Sequence, residues 1–293
     1  MFPFSFTSRT PINKGWSSDQ KYRVTDGDGT PYLLRISAPN EYESCRAGFE
    51  MMQRVSDLSI PMCRPVAFGT CDDGVYSLQS WIDGDDLRDI AHTLTDTQLR
   101  EYGRQAGQIL RKIHSITAPE SVEDWGVRYG RKLDRKLKMY AECSLKYENG
   151  DAFVDCIHEN RHLIVDRPQT FHHGDYHTGN MMIGHDGNLY IIDFNRHDFG
   201  DPWEEFNRIP WCVNDASPAF ASEFVDGYFD GDVPIMFWRL LMLYISSNML
   251  SSLPWAIPFG DGEIATMRSQ ARDILEWFDG MRNPVPTWYR NRE

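Results

Sequence analysis

The sequence predicts an α+β fold, with a strand-rich first lobe followed by a mostly helical second lobe. Three observations carry that expectation. Short β-like runs separated by turns fill the first third of the chain, and apolar residues at helical spacing dominate the rest. A length of 293 residues suits two lobes and a sizeable core. With 41% hydrophobic and 25% charged residues, the composition excludes disorder, collagen and coiled coil.

The elements follow in order. Lys21–Val24 and Pro31–Ile36 flank the turn Asp26-Gly27-Asp28-Gly29, a hairpin signal. Glu41–Val55 has Phe49, Met52 and Val55 on one helical face, and Pro61 and Pro65 stop it. Val75–Leu78 reads as a further strand, and the turn at Asp83–Asp86 marks the expected lobe boundary. Thr97–Ser115 is the clearest helix, with Leu99, Tyr102, Ala106, Ile109, Leu110 and Ile113 in phase. Further helices are expected at 130–140, 152–163, 234–250 and 261–279. Met181–Ile183 and Leu189–Ile192 interrupt them as a β-hairpin.

The formal charge of −13 disfavours nucleic acid or an anionic membrane as the main partner and favours solubility or cationic ligands. The six cysteines form no Cys-x-x-Cys pair, and Met1–Phe6 lacks a basic region followed by an apolar one. Reduced thiols in a cytoplasm are therefore expected. The apolar run 235–245 is interrupted by Arg239 and is shorter than the roughly 20 residues a bilayer span needs.

The chemistry concentrates between His173 and Asp193. Asp186-Gly187 suits the centre of a two-residue hairpin turn. That register pairs residue 183 with 190, 181 with 192, and Asn180 with Asp193. An amide oxygen and a carboxylate would then meet at the open end of the hairpin, a donor set suited to Mg²⁺. Asp175, five residues before Asn180, is placed to act as a base toward a hydroxyl, the arrangement used in phosphoryl transfer. The bland alternative has Asp175 capping a turn and Asp193 ending a strand. His172, His173, Asp175 and His177 also cluster as in a metallohydrolase, but without its usual ligand spacing.

His173-Gly174-Asp175 with Asn180, then Ile192-Asp193-Phe194 and Gly200-Asp201-Pro202, resembles the aminoglycoside phosphotransferase family of kinase-like small-molecule phosphotransferases. The resemblance is firm from Phe171 to Phe206 and thins beyond Trp211. It implies a bilobal protein-kinase-like fold, with residues 1–82 as a nucleotide-binding lobe and 83–293 as the catalytic and acceptor lobe. It also implies Asp175 as catalytic residue, Asn180 and Asp193 as Mg²⁺ ligands, and ATP or GTP as phosphoryl donor. Arg35 would contact the phosphates where many relatives carry Lys, a planar fork in place of a point donor. Glu50 is its expected acidic partner, with Glu43 as the alternative on the same helical face. The phosphate-covering loop is expected at Gly15–Asp19, using Ser17 and Ser18, and no G-x-G-x-x-G or Walker loop is present. Gln79 and Trp81 belong to the lobe-connecting segment, where backbone groups would pair with the base.

His173 is expected to set the loop through a backbone hydrogen bond, and Asp201 to pair with Arg196. A small cationic acceptor such as an aminoglycoside would want carboxylates. Asp151, Asp155 and Glu159 on one helical face, and Asp198, Glu204 and Glu205 after the metal Asp, are the candidates. A solvated helix face is the competing account of the first three. The functional alternatives are a metabolic kinase for an amino alcohol or amino acid, and a nucleotide-binding module without turnover. A monomer or weak dimer is expected.

Overall fold

The computed structural model describes residues 5–14 and 18–290. Along the chain, β1 (Ser8–Pro11), β2 (Gln20–Thr25), β3 (Pro31–Ser37), α1 (Tyr42–Ser56), β4 (Pro65–Cys71), β5 (Gly74–Ser80) and β6 (Gly84–Asp86) come first. They are followed by α2 (Leu87–Ile90), α3 (Asp96–Ile113), α4 (Trp125–Glu142), α5 (Asp151–Asn160) and β7 (Thr170–His172). Next are the hairpin β8 (Met181–Gly184) and β9 (Leu189–Ile191), then β10 (Asp198–Gly200) and a 3₁₀ segment, Glu204–Arg208. Helices α6 (Ile209–Asp215), α7 (Pro218–Phe229), α8 (Ile235–Ala256), α9 (Asp261–Trp277) and α10 (Thr287–Arg290) complete the chain.

Two compact units result: residues 1–87 with 179–197, and residues 88–178 with 198–293. This corrects the single cut after residue 82. The hairpin 181–191 belongs with the first unit because β6 pairs antiparallel with β8, with Gly84 opposite Gly184 and Asp86 opposite Met182. Non-local strand pairing of that kind leaves no mark on local sequence pattern.

The first unit is built on an antiparallel sheet of order β1-β2-β3-β5-β4. Val24, Leu34, Ile36, Tyr76 and Leu78 form a buried cluster. Strand alternation then sends Arg35 and its cross-strand neighbour Ser77 to the opposite face. Leu33 opposite Gln79 lies on that face too, and the Gln79 amide reaches the Met52 sulfur of α1 at 3.7 Å. The buried Arg35 is thus a consequence of period two on a central strand covered on both sides.

In the second unit, α3 begins with a capping box between Thr95 and Gln98, and α4 begins one turn earlier than its apolar pattern implies, capped by Asp124. Helix α7 had no sequence signal. Nine of its twelve residues are buried, so it carries no polar stripe from which a helical period could be read. It packs on α3 through glycines: a Cβ added at Gly107 would lie 2.2 Å from the Phe224 carbonyl oxygen, and one at Gly103 would lie 2.3 Å from that of Phe220. Gly107→Ala is expected to lower stability by about 2–3 kcal/mol through overpacking against backbone. Denaturant unfolding with an unchanged slope would confirm it.

Helix α8 is longer than expected, at 22 residues, and continues through Pro254. By length and composition it could cross a bilayer, but 67% of its most apolar window is buried within the protein. It is the central core helix of this unit, packed on α4, α5 and α9. Trp203 is partly buried against Phe229 and Phe237, whereas Trp255 stacks with Phe259 on the surface.

Candidate active site

The hairpin that delivers Asn180 and Asp193 uses a different turn from the expected one. Met181 pairs with Ile191, Met182 with Tyr190 and Ile183 with Leu189, so the register is displaced by one residue. Gly184 and Asn188 close a three-residue loop, in which Gly187 takes φ +81° while Asp186 does not adopt positive φ. A turn followed by one left-handed residue is satisfied by a single glycine, whereas the two-residue alternative needs two positive φ values. Asp186 instead caps the loop, accepting from Asn188 N–H at 3.1 Å and Tyr190 O–H at 2.8 Å.

Asn180 is consequently opposite Ile192, whose N–H donates to the Asn180 carbonyl at 3.0 Å. Asp193 comes one residue later and breaks the strand alternation with φ +66°, a left-handed conformation rare outside glycine. Its Oδ1 accepts from Arg35 Nη1 at 3.0 Å and from the Asn195 amide. No described residue hydrogen-bonds Oδ2, and the side chain is 45% exposed. Arg35, by contrast, is 7% exposed, and it also donates to Asp19 Oδ2 from Nη2 at 2.8 Å and from Nε at 3.3 Å. Asp193 and Asp19 outweigh the effect of burial and hold the guanidinium firmly charged.

The expected pair of Arg35 with Glu50 does not form. Glu50 is exposed and lies 3.9 Å from Arg46, which also takes Glu43 at 2.9 Å. Asp19 and Asp193 are the acidic partners of Arg35. Asp19 was legible as the charged end of the Gly15–Asp19 loop, opposite no apolar periodicity, but nothing local tied it to Arg35. Ser17 lies outside the described residues, and Ser18 is exposed beside Asp19. Past Ser80, Trp81 and Ile82 make no backbone hydrogen bond to any described residue. A base could be read by those groups, while the Gln79 side chain is turned to α1.

Asp175 belongs to the second unit. Its loop follows β7, which pairs with β10. The loop is tied down from behind by Glu205, which is buried and accepts from the N–H groups of His173 (2.8 Å) and Gly174 (2.5 Å). Burial alone would raise the Glu205 carboxyl, but the His114 hydrogen bond and the neighbouring histidines outweigh it and hold it below the usual range. Burial keeps His114 neutral, donating from Nε2 to Glu205 (3.3 Å) and accepting from Tyr228 O–H at Nδ1 (2.9 Å). His173 accepts the Asp175 N–H at Nδ1, 3.3 Å away, and so shapes the loop through its backbone. The Asp175 carboxylate Oδ1 lies 3.4 Å from Arg208 Nε and 3.5 Å from His177 Nε2. Behind them, Arg88 bonds Asp215 at 2.7 Å and approaches His177 at 3.4 Å, and Thr178 donates to Asp215 at 3.0 Å.

Of the carboxylates expected to receive a cationic acceptor, Glu205, Glu204 and Asp198 have partners within the protein. Glu205 holds the loop. Glu204 takes Lys132 at 3.1 Å; burial raises its carboxyl, but Lys132, His172 and Lys136 bring it down to about 2. Asp198 accepts from Arg128 at 2.9 and 3.1 Å and from the Phe199 N–H at 2.8 Å. Asp151, Asp155 and Glu159 lie on the exposed face of α5. Asp201 is fully buried and pairs bidentately with Arg167 (2.7 and 3.0 Å) and with Tyr244 O–H (2.6 Å), which replaces the expected Arg196 pair. Arg167 also stacks on Trp203, 4.0 Å from the ring centre.

Removing the Glu205 carboxylate leaves two loop N–H groups and His114 without their acceptor. Glu205→Ala is expected to cost about 3–5 kcal/mol, as for one partner lost from a buried charged network. Glu205→Gln, which keeps one acceptor oxygen, should cost less. Thermal and denaturant unfolding of both variants would check the order.

Oxygen donors of this kind fit a hard cation: Asp193 offers an uncommitted, accessible carboxylate oxygen beside a buried cation, and Asn180 precedes it on the hairpin. Among the described residues no group of three or more His, Cys, Asp or Glu is placed to hold a metal ion, and a metal at Asn180 and Asp193 would complete its shell from phosphate and water.

Comparison with known proteins agrees with this architecture. The gentamicin complex of APH(2'')-IIa superposes with a TM-score of 0.64 at 14% identity, covering 90% of this chain and 91% of that one. A thermostable mutant of aminoglycoside phosphotransferase APH(4)-Ia, in ternary complex with ADP and hygromycin B, gives 0.64 at 17% identity over 92% and 94%. The GDP complex of aminoglycoside 2'-phosphotransferase-IIIa gives 0.64 at 13% over 92% and 93%. No curated protein sequence matches the chain. At these identities the likeness shows the kinase-like fold. The sequence itself matches the model of the phosphotransferase enzyme family (APH) over residues 8–238, which span the Arg35 strand, the Asp175 loop and the Asp193 hairpin, and the chain belongs to that family.

Proposed function

We propose that this phosphotransferase moves the γ-phosphoryl group of ATP or GTP to a hydroxyl of a small molecule. The observation that carries the reading is Asp193, paired through one oxygen to the buried Arg35 and open at the other. In this reading the acceptor O–H loses its proton to Asp175 as its oxygen bonds to the γ-phosphorus. The bond from that phosphorus to the β-bridging oxygen breaks, and the nucleoside diphosphate leaves. Arg35 orients the phosphates, and Asn180 and Asp193 would hold Mg²⁺. When bound, Mg²⁺ would supply positive charge that stabilises the transferring phosphate. The backbone at Trp81–Ile82 accepts the base, which leaves ATP and GTP equally served. That structural neighbours were solved with ADP, GDP and aminoglycosides supports a nucleotide donor and a small-molecule acceptor. All six cysteines are free thiols, which suits a reducing cytoplasm where nucleotide is available.

The test is diphosphate release from MgATP or MgGTP across a panel of hydroxyl compounds, with the phosphomonoester identified by ³¹P NMR. Acceptor-dependent release supports the reading. Tight Mg-nucleotide binding with no transfer to any acceptor would establish a binding module instead.

A further inference from the structure

Two nitrogen-bearing side chains approach the Asp175 carboxylate. Arg208 and His177 approach its Oδ1 within 3.5 Å, and Arg88 stands behind His177. Arg208 lies at the end of the 3₁₀ segment Glu204–Arg208, one turn beyond Glu204. Helix α4 presents Lys132 and Lys136, also one turn apart, to that segment. Lys132 satisfies Glu204 at 3.1 Å. Lys136 has no such partner: it is partly buried and makes no hydrogen bond or ion pair with any described residue. The charges that act on it are, in order, Lys132, Glu204, Arg208 and Arg135. Burial, then Lys132, then Arg208 and Arg135 push its amine down to about 7 against the pull of Glu204. A partly buried ammonium with no ion pair, which also feels the charge of the Arg208 that faces Asp175, is unfavourable until an anion joins it.

We propose that the acceptor carries a carboxylate or phosphate group as well as its hydroxyl, and that Lys136 and Arg208 receive that anionic group beside Asp175. This rests on the phosphotransferase reading above and reverses the sign expected from the net charge. The carboxylates that argued for a cationic acceptor are bound to Lys132, Arg128 and the loop backbone, or lie on the solvent face of α5.

The test uses the full chain with Mg²⁺ and a non-hydrolysable ATP analogue. Calorimetry would measure binding of D-glycerate (carboxylate), glycerol 3-phosphate (phosphate), choline and gentamicin. At least one of the two anions is expected to bind tenfold or more tightly than either cation, and the better of them identifies the group. Lys136→Gln should weaken that anion at least tenfold, leave analogue affinity within about twofold, and leave the melting temperature equal or higher. A structural lysine would instead lower it on substitution. Preference for choline or gentamicin, or an unchanged anion affinity in Lys136→Gln, overturns the inference. If a cation is then phosphorylated, the phosphotransferase reading still stands. Failure to bind the analogue at all would defeat both.

Discussion

Asp175→Asn should abolish most phosphoryl transfer, lowering kcat by about 10²–10⁴, while nucleotide affinity stays within a few-fold of the parent. The substitution is nearly isosteric. The Asp175 N–H still reaches His173 Nδ1, and Glu205 still holds the His173 and Gly174 amides, so the loop keeps its shape. What is lost is the proposed acceptor for the substrate proton and the carboxylate facing Arg208 and His177. Because catalysis of this class is mostly positioning and charge stabilisation, the effect belongs in kcat and not in nucleotide binding. Steady-state kinetics with a verified acceptor, beside an independent nucleotide titration, separates the two. Retention of transfer within tenfold would remove Asp175 from the reaction.

Asp193→Asn should be at least as damaging, by about 10²–10⁴ in turnover, and should also weaken Mg-nucleotide binding. One oxygen of Asp193 answers the charge of Arg35 and the other is open to a cation; an amide replaces an anion in both interactions. Arg35 is buried, but two bonds to Asp19 remain, so the sheet is expected to stay folded. Unfolding midpoints near the parent together with lost Mg-nucleotide affinity would distinguish a ligand from a structural residue. If nucleotide binds equally well with and without Mg²⁺ in both proteins, the metal role assigned to Asp193 fails.

The two substitutions also differ in what they reveal. Asp175 faces the Arg208 guanidinium, so its neutralisation leaves Arg208 less balanced, and an anionic acceptor would bind Asp175→Asn at least as well as the parent. Nothing comparable follows for Asp193, whose cation is shared with Asp19.

Much of the fold was legible because it is local. The hairpin around Asp26–Gly29, the amphipathic α1 and α3, and the β8–β9 hairpin each announce themselves by period two or about 3.6 and by their turn residues. Helix α7 was silent because it is buried almost all round, and β6, β7 and β10 because three-residue strands carry no period. The hairpin register differs from the expected one by one residue. Asp-Gly fits both a two-residue and a three-residue loop, and the choice lies in closing bonds between Gly184 and Asn188 that composition does not encode.

The sequence by itself determined the family, the α+β class and the motif residues Asp175, Asn180 and Asp193, because these lie within one continuous stretch with fixed spacing. Only the tertiary structure decided which acid serves which base. Arg35 chose Asp19 and Asp193 over Glu50, Asp201 chose Arg167 over Arg196, and Glu205 became the anchor of the loop. Each choice pairs groups far apart in sequence, and a buried charge takes the partner that the packing brings within about 3 Å, whatever the net charge of the chain. The total of −13 therefore says little about the acceptor: Glu204, Glu205 and Asp198 already have partners, and Lys136 makes no ion pair with any described residue.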